Sequence, residues 1–185
     1  MKRAVFLDRD GTLIEEVGYL DRLEQIAFFP FSVDAVRLLN RAGFAVIVVT
    51  NQSGVARGLF DEAFVERAHR EMAAALTRGG ATVDDFYYCP HHPDAAVAAY
   101  RQACRCRKPQ PGLLTQAAAR HQIDLSRSFV VGDRLHDVES GAAVGAAGVL
   151  VRSGYGTAHE AAARQRGVAV TDNLMEAVAW ILRQP

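Results

Sequence analysis

The sequence predicts an α/β fold with a doubly wound parallel sheet. Short apolar runs, of the kind that fill a parallel strand covered on both faces, alternate with stretches of helical periodicity. Three of the four runs end in polar clusters, as expected where the carboxyl ends of parallel strands meet. Strands that alternate with helices also require right-handed crossovers, which place helices on both faces of the sheet.

The elements follow in chain order. The apolar runs predict strands over residues 3–7, 44–49, 129–131 and 148–151. The helical patterns predict helices over residues 33–42, 62–78, 111–121, 137–144 and 176–183. A further strand is expected after the second helix and before a loop over residues 87–108. The stretch after Arg152 carries no motif, and we expect it to be a packing element that ends in a helix around Trp180.

The length and the charge balance of the chain argue against several classes of function. The 185 residues fit one domain, 1–185, and 21 basic residues balance 21 acidic ones, so no net field attracts nucleic acid. The longest uncharged stretch, residues 140–151, is shorter than the ~20 residues that span a bilayer. The first apolar run ends at Asp8, which a signal peptide would not tolerate. We expect a cytoplasmic monomer that contacts neither nucleic acid nor membrane.

Two carboxylates, Asp8 and Asp10, stand at the end of the first predicted strand. Each raises the proton affinity of the other unless a cation lies between them. Mg²⁺ binds one or two carboxylates together with substrate phosphate oxygens, and Asp133 on a third strand end supplies a further oxygen. Asp137, one helical turn later, supports this group. The alternative is a solvated turn, since Asp and Gly are common turn residues.

A carboxylate beside a divalent cation can act as a nucleophile and form an aspartyl phosphate. We expect Asp8 to take this role because it lies nearer the rigid strand. Asp10, two residues into the turn, would protonate the leaving oxygen and then deprotonate the attacking water. The transferred phosphoryl group carries charge on three oxygens, and the Thr50 hydroxyl and the backbone amides after it are suitable donors.

Lysine is rare in this chain. Lys2 and Lys108 are the only lysines among 21 basic residues, and arginine serves elsewhere. A lysine at position 108 indicates a task for a compact ammonium, such as contacting a phosphate and Asp8 together. The alternative is an incidental lysine.

All three cysteines lie between residues 89 and 106, within the loop 87–108. Three cysteines cannot all pair within the chain, so in a cytosolic protein they indicate metal binding. Three thiolates and one imidazole form the closed ligand set of a structural Zn²⁺. The candidates are Cys89, Cys104, Cys106 and either His91 or His92. Spacing does not decide between the histidines, and we favour His91 because Cys-x-His then matches Cys-x-Cys. Free thiols on a flexible loop are the alternative.

Four strand-end motifs carry a family resemblance, namely Asp8-Arg-Asp-Gly-Thr, Thr50 with Asn51, Lys108, and Gly132-Asp133 with Asp137. With them the chain resembles the haloacid dehalogenase superfamily of phosphotransferases. Three longer matches are the run Val-Thr-Asn-Gln-Ser-Gly-Val-Ala-Arg-Gly from Val49, Cys-Pro-His-His-Pro from Cys89, and Cys-Arg-Cys-Arg-Lys-Pro from Cys104. Through these the chain is similar, over nearly its whole length, to the D-glycero-D-manno-heptose 1,7-bisphosphate 7-phosphatases.

The resemblance implies a role for each matched residue. Asp8 would be the nucleophile and Asp10 the acid/base, while Thr50 and Lys108 grip the phosphate. Asp8, the Asp10 carbonyl and Asp133 would hold Mg²⁺. Zn²⁺ would bind Cys89, His91, Cys104 and Cys106. The implied substrate contacts are Arg9, Gly18, Tyr19, Asn51, Gln52, Ser53, Arg57, Arg107 and Arg134. The implied pathway is heptose precursor synthesis for lipopolysaccharide or S-layer glycan.

The segment between Asp10 and the helix at Val33 is short, and the longer one from Asn51 to Arg107 is used by a helix, a strand and the zinc loop, so we expect no large cap domain. An open site of this kind must take its selectivity from loops, and a sugar bisphosphate suits it. Arg57 or Arg107 could bind the second phosphate in a bidentate manner.

Other functions remain open on the sequence alone. Histidinol-phosphate phosphatases share the catalytic motifs and the zinc loop, although Arg57 favours the heptose branch. A polynucleotide 3′-phosphatase would need a basic stripe, which the balanced charge does not provide. A phosphoryl-accepting signalling module would carry an aspartate where Thr50 stands. A zinc-based interaction domain would have no use for Mg²⁺.

Overall fold

The computed structural model describes residues 1–185 and contains one six-stranded sheet in which every neighbouring pair is parallel. The order of the strands across the sheet is β3-β2-β1-β4-β5-β6. The strands are β1 (Ala4–Leu7), β2 (Ala45–Asn51), β3 (Asp85–Cys89), β4 (Phe129–Gly132), β5 (Ala147–Val151) and β6 (Ala169–Thr171). The first strand in the chain is therefore a central one, with β2 and β4 beside it, and the predicted doubly wound sheet is confirmed.

Seven α-helices connect the strands. They are α1 (Ser32–Arg41), α2 (Ser53–Ala56), α3 (Glu62–Arg78), α4 (Gly112–His121), α5 (Leu135–Ala142), α6 (Gly156–Gln165) and α7 (Leu174–Ile181). Only α2 and α3 lie between β2 and β3, and the segment between β1 and α1 holds a single 3-10 turn. The chain thus has no large cap domain, as predicted.

The sheet separates two apolar cores. Alternate residues of the strands point to opposite faces, so Val5 and Leu7 of β1 enter one core while Phe6 enters the other. The first core also takes the apolar faces of α1, α3 and α7. The second takes α4, with Leu113 and Leu114 fully covered. Burial on both faces explains why the strands are apolar throughout rather than alternating.

Two helices begin two residues earlier in the structure than the apolar periodicity predicts, because capping side chains extend their first turns. α5 begins at Leu135 instead of residue 137, since the Asp137 carboxylate accepts a hydrogen bond from Arg134 N at 2.9 Å. α7 begins at Leu174 instead of residue 176, since Asn173 accepts one from Glu176 N at 3.1 Å. These side chains satisfy backbone donors that the first helical turn leaves unpaired.

The second strand and the C-terminal region also differ from the predictions. β2 continues to Asn51 because Thr50 and Asn51 pair with β3, so both residues belong to a strand rather than to a turn. The stretch after Arg152 forms α6, then the edge strand β6, and ends in the helix predicted around Trp180. β6 was not predicted from the sequence, because it has only three residues and is half-buried, so it does not need a long apolar run.

The N-terminal cap of α3 gives a test of the fold. Asp61 accepts a hydrogen bond from Phe64 N at 2.7 Å, so Asp61→Ala is expected to lower the free energy of unfolding by about 1 kcal/mol. Urea denaturation of zinc-loaded protein measures this change. Asp94→Ala, at an exposed position whose carboxylate bonds nothing, is the control. Equal stability of the two variants would contradict the assigned cap.

Candidate active site

Three central strands end at one cleft of about 320 Å³ at the carboxyl edge of the sheet. Asp8 follows β1, Thr50 is the penultimate residue of β2, and Asp133 follows β4. β1 lies between the other two strands, so Asp8 stands at the centre of this edge. The cleft is walled almost entirely by polar and charged side chains. This is the position that ligands take in open parallel sheets.

A buried ammonium is fixed beside Asp8. Lys108 is 2% exposed, and its Nζ lies 2.7 Å from Asp8 Oδ1, 2.7 Å from Asp137 Oδ1 and 2.8 Å from the Val49 carbonyl oxygen. Burial opposes the charge, but the Asp137 and Asp8 carboxylates outweigh it and raise the pKa of Lys108. Lys108 is therefore charged; its Nζ donates hydrogen bonds to Asp8 and to the Val49 carbonyl and forms an ion pair with Asp137.

Three carboxylates surround one point in the site. Oxygens of Asp8, Asp133 and Asp137 all lie within 4.8 Å of one another. Burial is the main cause that raises the pKa of Asp8 to about 6 and that of Asp133 to about 8, and the neighbouring carboxylates add to it. Such shifts mean that the group resists holding all its negative charges without a cation.

The surroundings of Asp133 fit a cation. Tyr155 N donates to Asp133 Oδ2 at 2.7 Å, whereas the buried Oδ1 has no hydrogen-bond partner. Gly11 and Gly154 pass so close that a Cβ on either would collide with this carboxylate, and both have positive φ values that suit glycine. The glycines thus close off the Oδ2 side of the carboxylate, and the unpartnered Oδ1 is the oxygen available to a hard divalent ion.

The Asp10 side chain turns away from the three carboxylates. Arg9 Nε lies 3.1 Å from Asp10 Oδ1 and 3.0 Å from Oδ2, and Arg9 Nη2 lies 2.9 Å from Oδ1. Gln52 Nε2 donates to Asp10 Oδ2 at 3.1 Å and to Thr50 Oγ1 at 2.8 Å, while Gln52 Oε1 accepts from Arg9 Nη2 at 3.0 Å. Since Thr50 Oγ1 accepts from Gln52, its own hydrogen remains available to the cleft.

Some residues expected to contact substrate instead hold other groups. Arg9 and Gln52 border the cleft, but both are buried and bound to Asp10. Asn51 ties β2 to the following loop: its Nδ2 donates to the Lys108 carbonyl at 3.2 Å, and its Oδ1 accepts from Lys108 N at 3.0 Å. Asn51 also lines the cleft, so its amide fixes the Lys108 backbone at the wall of the site, and its contact with the sugar stays a prediction.

The Cys/His group of the loop 87–108 assembles next to this segment. Its four ligand atoms, from Cys89, His91, Cys104 and Cys106, lie within 4.8 Å of one another, and no cysteine is in a disulfide. The Sγ atoms are 3.1–3.5 Å apart, and His91 Nδ1 is 3.3 Å from Cys106 Sγ. His92 is outside the group, since its Nδ1 accepts from Asp94 N. A tetrahedral zinc ion fits this donor set.

The rim of the cleft is rich in cationic groups. Arg57, Arg107 and Arg134 line it, together with the predicted Gly18, Tyr19 and Ser53. Burial and then the charges of Arg107 and Arg57 lower the pKa of His92, which lies beside them. Arg107 Nη1 donates to the His91 carbonyl at 3.3 Å, whereas the side chain of Arg57 is exposed and binds no protein group.

Four residues with polar side chains line the cleft without having been predicted to do so, namely Glu16, His92, His136 and Tyr155. The Arg134 guanidinium lies 3.9 Å from the centre of the Tyr155 ring and 3.7 Å from Glu16 Oε2. Burial and the Lys108 charge lower the pKa of His136 to about 4, so it is neutral. Tyr155 follows shortly after β5. The expectation that ligands bind at the carboxyl ends of parallel strands could therefore have identified it. No signal in the sequence marks Glu16, His92 or His136 as cleft residues.

Comparison with known proteins identifies the family. Residues 105–177 match the "HAD-hyrolase-like" family model. Over 152 residues, 82% of this chain and 80% of the relative, the chain is 45% identical to a D-glycero-beta-D-manno-heptose-1,7-bisphosphate 7-phosphatase of Escherichia coli O6:H1. A protein of the same name from Rhodopseudomonas palustris is 45% identical over 78% of this chain and 81% of its own length. No helix has the length and apolar character needed to cross a membrane.

Comparison with solved structures points to the same family. The D,D-heptose 1,7-bisphosphate phosphatase of B. bronchiseptica, in complex with magnesium and phosphate, superposes with a TM-score of 0.87 at 34% identity and covers 99% of both chains. The enzyme from Burkholderia thailandensis gives a TM-score of 0.73 at 33% identity, covering 99% of this chain and all of its own. The chain therefore belongs to the haloacid dehalogenase-like hydrolases, in the family of the D-glycero-beta-D-manno-heptose-1,7-bisphosphate 7-phosphatases.

Proposed function

We propose that this protein is a Mg²⁺-dependent phosphatase that removes the 7-phosphate of D-glycero-beta-D-manno-heptose 1,7-bisphosphate through an aspartyl phosphate on Asp8. The observation that carries the proposal is the contact between the buried Lys108 and Asp8, which follows β1 and lines the cleft. The relatives supply the substrate, including the β anomer in their names. The product is the heptose 1-phosphate, a precursor for lipopolysaccharide or S-layer glycan.

In the first step a carboxylate oxygen of Asp8 attacks the phosphorus of the 7-phosphate. Lys108 binds Oδ1, which leaves Oδ2 as the attacking atom. The bond between phosphorus and the sugar oxygen breaks, and Asp10 gives its proton to that oxygen. The Thr50 hydroxyl would donate to a phosphoryl oxygen, and the Lys108 ammonium, held beside Asp8, would stabilise the negative charge on the phosphoryl oxygens through space.

In the second step water attacks the phosphorus of the aspartyl phosphate. Asp10, now a carboxylate, takes the proton of the water, and the bond between phosphorus and Asp8 breaks. Inorganic phosphate leaves, and Asp8 and Asp10 return to their starting forms. Two displacements at one phosphorus thus replace a single displacement by water.

Mg²⁺ would be held by Asp8, the backbone carbonyl of Asp10 and Asp133, with Asp137 in support. When bound it neutralises phosphate charge and aligns the phosphoryl group with the nucleophile. The unpartnered Asp133 Oδ1 and the close grouping of the three carboxylates support this assignment. The Asp10 carboxylate is bound by Arg9 and Gln52 and would not be a ligand of Mg²⁺. Asp10 can therefore transfer protons without competing with the metal.

Zn²⁺ would bind the group of Cys89, His91, Cys104 and Cys106 and serve the structure of the loop, since four protein ligands leave no position for water. Cys106 precedes Arg107 and Lys108 directly, so the ion would fix the backbone that carries both cations. Unpaired cysteines suit a reducing compartment, which supports the cytoplasm as the location. A monomer remains part of the proposal.

Selectivity would come from the rim. A bisphosphate brings a second dianion, and Arg57 is the rim arginine whose guanidinium no protein group occupies. Arg107 would assist, with one of its N–H groups committed to the loop. Histidinol phosphate carries an ammonium instead of a second phosphate, so these arginines would repel it.

The substrate assignment is tested by kcat/KM for both anomers of heptose 1,7-bisphosphate and for histidinol phosphate. We expect the β bisphosphate to be preferred, and activity to disappear with EDTA and return with Mg²⁺. A preference for histidinol phosphate would contradict the assignment, and activity that survives EDTA would contradict the metal.

Arg57 is tested separately. Arg57→Ala is expected to lower kcat/KM for the bisphosphate by about 10- to 100-fold, the value of a charge-assisted hydrogen bond, while 4-nitrophenyl phosphate is little affected. Arg78→Ala, an exposed arginine at the end of α3, is the control. Equal losses on both substrates would end the claim that Arg57 reads the second phosphate.

The zinc assignment is tested with Cys104→Ser. Zinc affinity is expected to fall by more than about 100-fold, since even the outer partners of zinc ligands contribute about 10- to 100-fold. Activity should fall with it as the backbone around Lys108 loosens. Cys104→His, which keeps a ligand, is the matched variant and should retain zinc. Unchanged metal content in Cys104→Ser would show that the ligand set is wrong.

A further inference from the structure

Gln52 is placed as a fixed connector rather than as a substrate contact. It is 4% exposed, and both ends of its amide are occupied, the oxygen by Arg9 and the nitrogen by Asp10 and Thr50. Arg9, which is 2% exposed, binds the Asp10 carboxylate through Nε and Nη2. Together Arg9 and Gln52 contact both carboxylate oxygens of Asp10.

The donor and acceptor types allow only one arrangement of this group. A guanidinium can only donate, so the Gln52 oxygen must face Arg9 and its NH₂ must face Asp10 and Thr50. Thr50 Oγ1, in strand β2, anchors the amide to the sheet. The Asp10 carboxylate, which stands on a turn, is thereby tied to β2 through a side chain that has no second way to satisfy its hydrogen bonds.

We propose that Gln52, held by Arg9, is a positioning residue that aims the Asp10 carboxylate at the oxygen of the leaving group. The inference rests on the proposed function, in which Asp10 is the acid/base. A general acid acts only within hydrogen-bond reach of the atom it protonates, so a turn residue needs such a support. Arg9 and Gln52 thus contribute to turnover without touching the substrate.

The test compares Gln52→Met, which keeps the length but removes every hydrogen bond, with Gln116→Met on the exposed face of α4. The substrates are phenyl phosphate and 4-nitrophenyl phosphate. The nitrophenolate leaves without much help from an acid, whereas phenolate needs the proton. kcat/KM reports the steps up to departure of the leaving group, and zinc content with the melting temperature reports folding.

We expect Gln52→Met to lower kcat/KM for phenyl phosphate by about 10- to 100-fold, part of the usual contribution of a general acid, and to lower it much less for 4-nitrophenyl phosphate. Gln52→Glu, nearly the same size but unable to donate, should show the same pattern. Gln116→Met should match the wild type. Equal losses on both substrates, or a lowered melting temperature with unchanged kinetics, would overturn the proposal.

A crystal structure of Gln52→Met gives a readout that does not depend on any substrate. A displacement of the Asp10 carboxylate by about 1 Å or more supports the inference, because errors of that size are costly in catalysis. An unmoved carboxylate overturns it. If the wild type hydrolyses the aryl phosphates but not the heptose bisphosphate, the substrate assignment fails while the role of Gln52 is still decided by these measurements.

Discussion

The ion pair between the buried Lys108 ammonium and the Asp8 and Asp137 carboxylates is the interaction on which the site depends. Removing one partner of a buried pair of this kind typically costs about 3–5 kcal/mol, because the other charge is left in the interior. With Asp133 the group holds three carboxylates and one ammonium, so it has two negative charges in excess when fully ionised. A divalent cation would neutralise that excess, which explains why nucleophile, lysine and metal ligands occupy one place.

The loop 87–108 and the catalytic strand ends form one mechanical unit. Asn51, the last residue of β2, clamps the Lys108 backbone from both sides, and Arg107 reaches back to the carbonyl of His91. The Cys/His group lies immediately before these residues in the chain. A metal that has no direct part in the reaction can thereby decide where the ammonium stands, which is how a structural ion influences phosphoryl transfer.

The sequence is most informative where one physical rule determines position. Parallel strands bring their carboxyl ends to one edge, so the sequence alone predicts that Asp8, Thr50 and Asp133 lie together. The rarity of lysine singles out Lys108, and the equal spacing of Cys-x-His and Cys-x-Cys favours His91. Side-chain direction is not predictable in the same way. Asn51 and Gln52 line the cleft, as strand-end residues should, yet their amides are bonded to protein groups, which the sequence does not indicate.

The other differences between the prediction and the structure also arise from tertiary packing, which the sequence pattern does not show. Glu16 and His136 reach the cleft through tertiary packing that no local pattern encodes, and the short edge strand β6 has no apolar run to mark it. The spacing of Asp137 predicts only that it supports the metal ligands, but in the structure it has two further roles that depend on tertiary packing. One of its carboxylate oxygens caps the first turn of α5 and the other binds Lys108, and only the folded chain brings these two partners to one side chain.

The proposed mechanism depends on the formation of an aspartyl phosphate on Asp8, at the end of β1. The direct measurement is to mix enzyme, Mg²⁺ and heptose bisphosphate, quench the mixture within milliseconds, reduce it with borohydride, and locate the modified residue by peptide mass spectrometry. Reduction of an aspartyl phosphate converts the residue to homoserine, and we predict homoserine at position 8 during turnover. Turnover with no homoserine at position 8, or with homoserine at another aspartate, would contradict the mechanism.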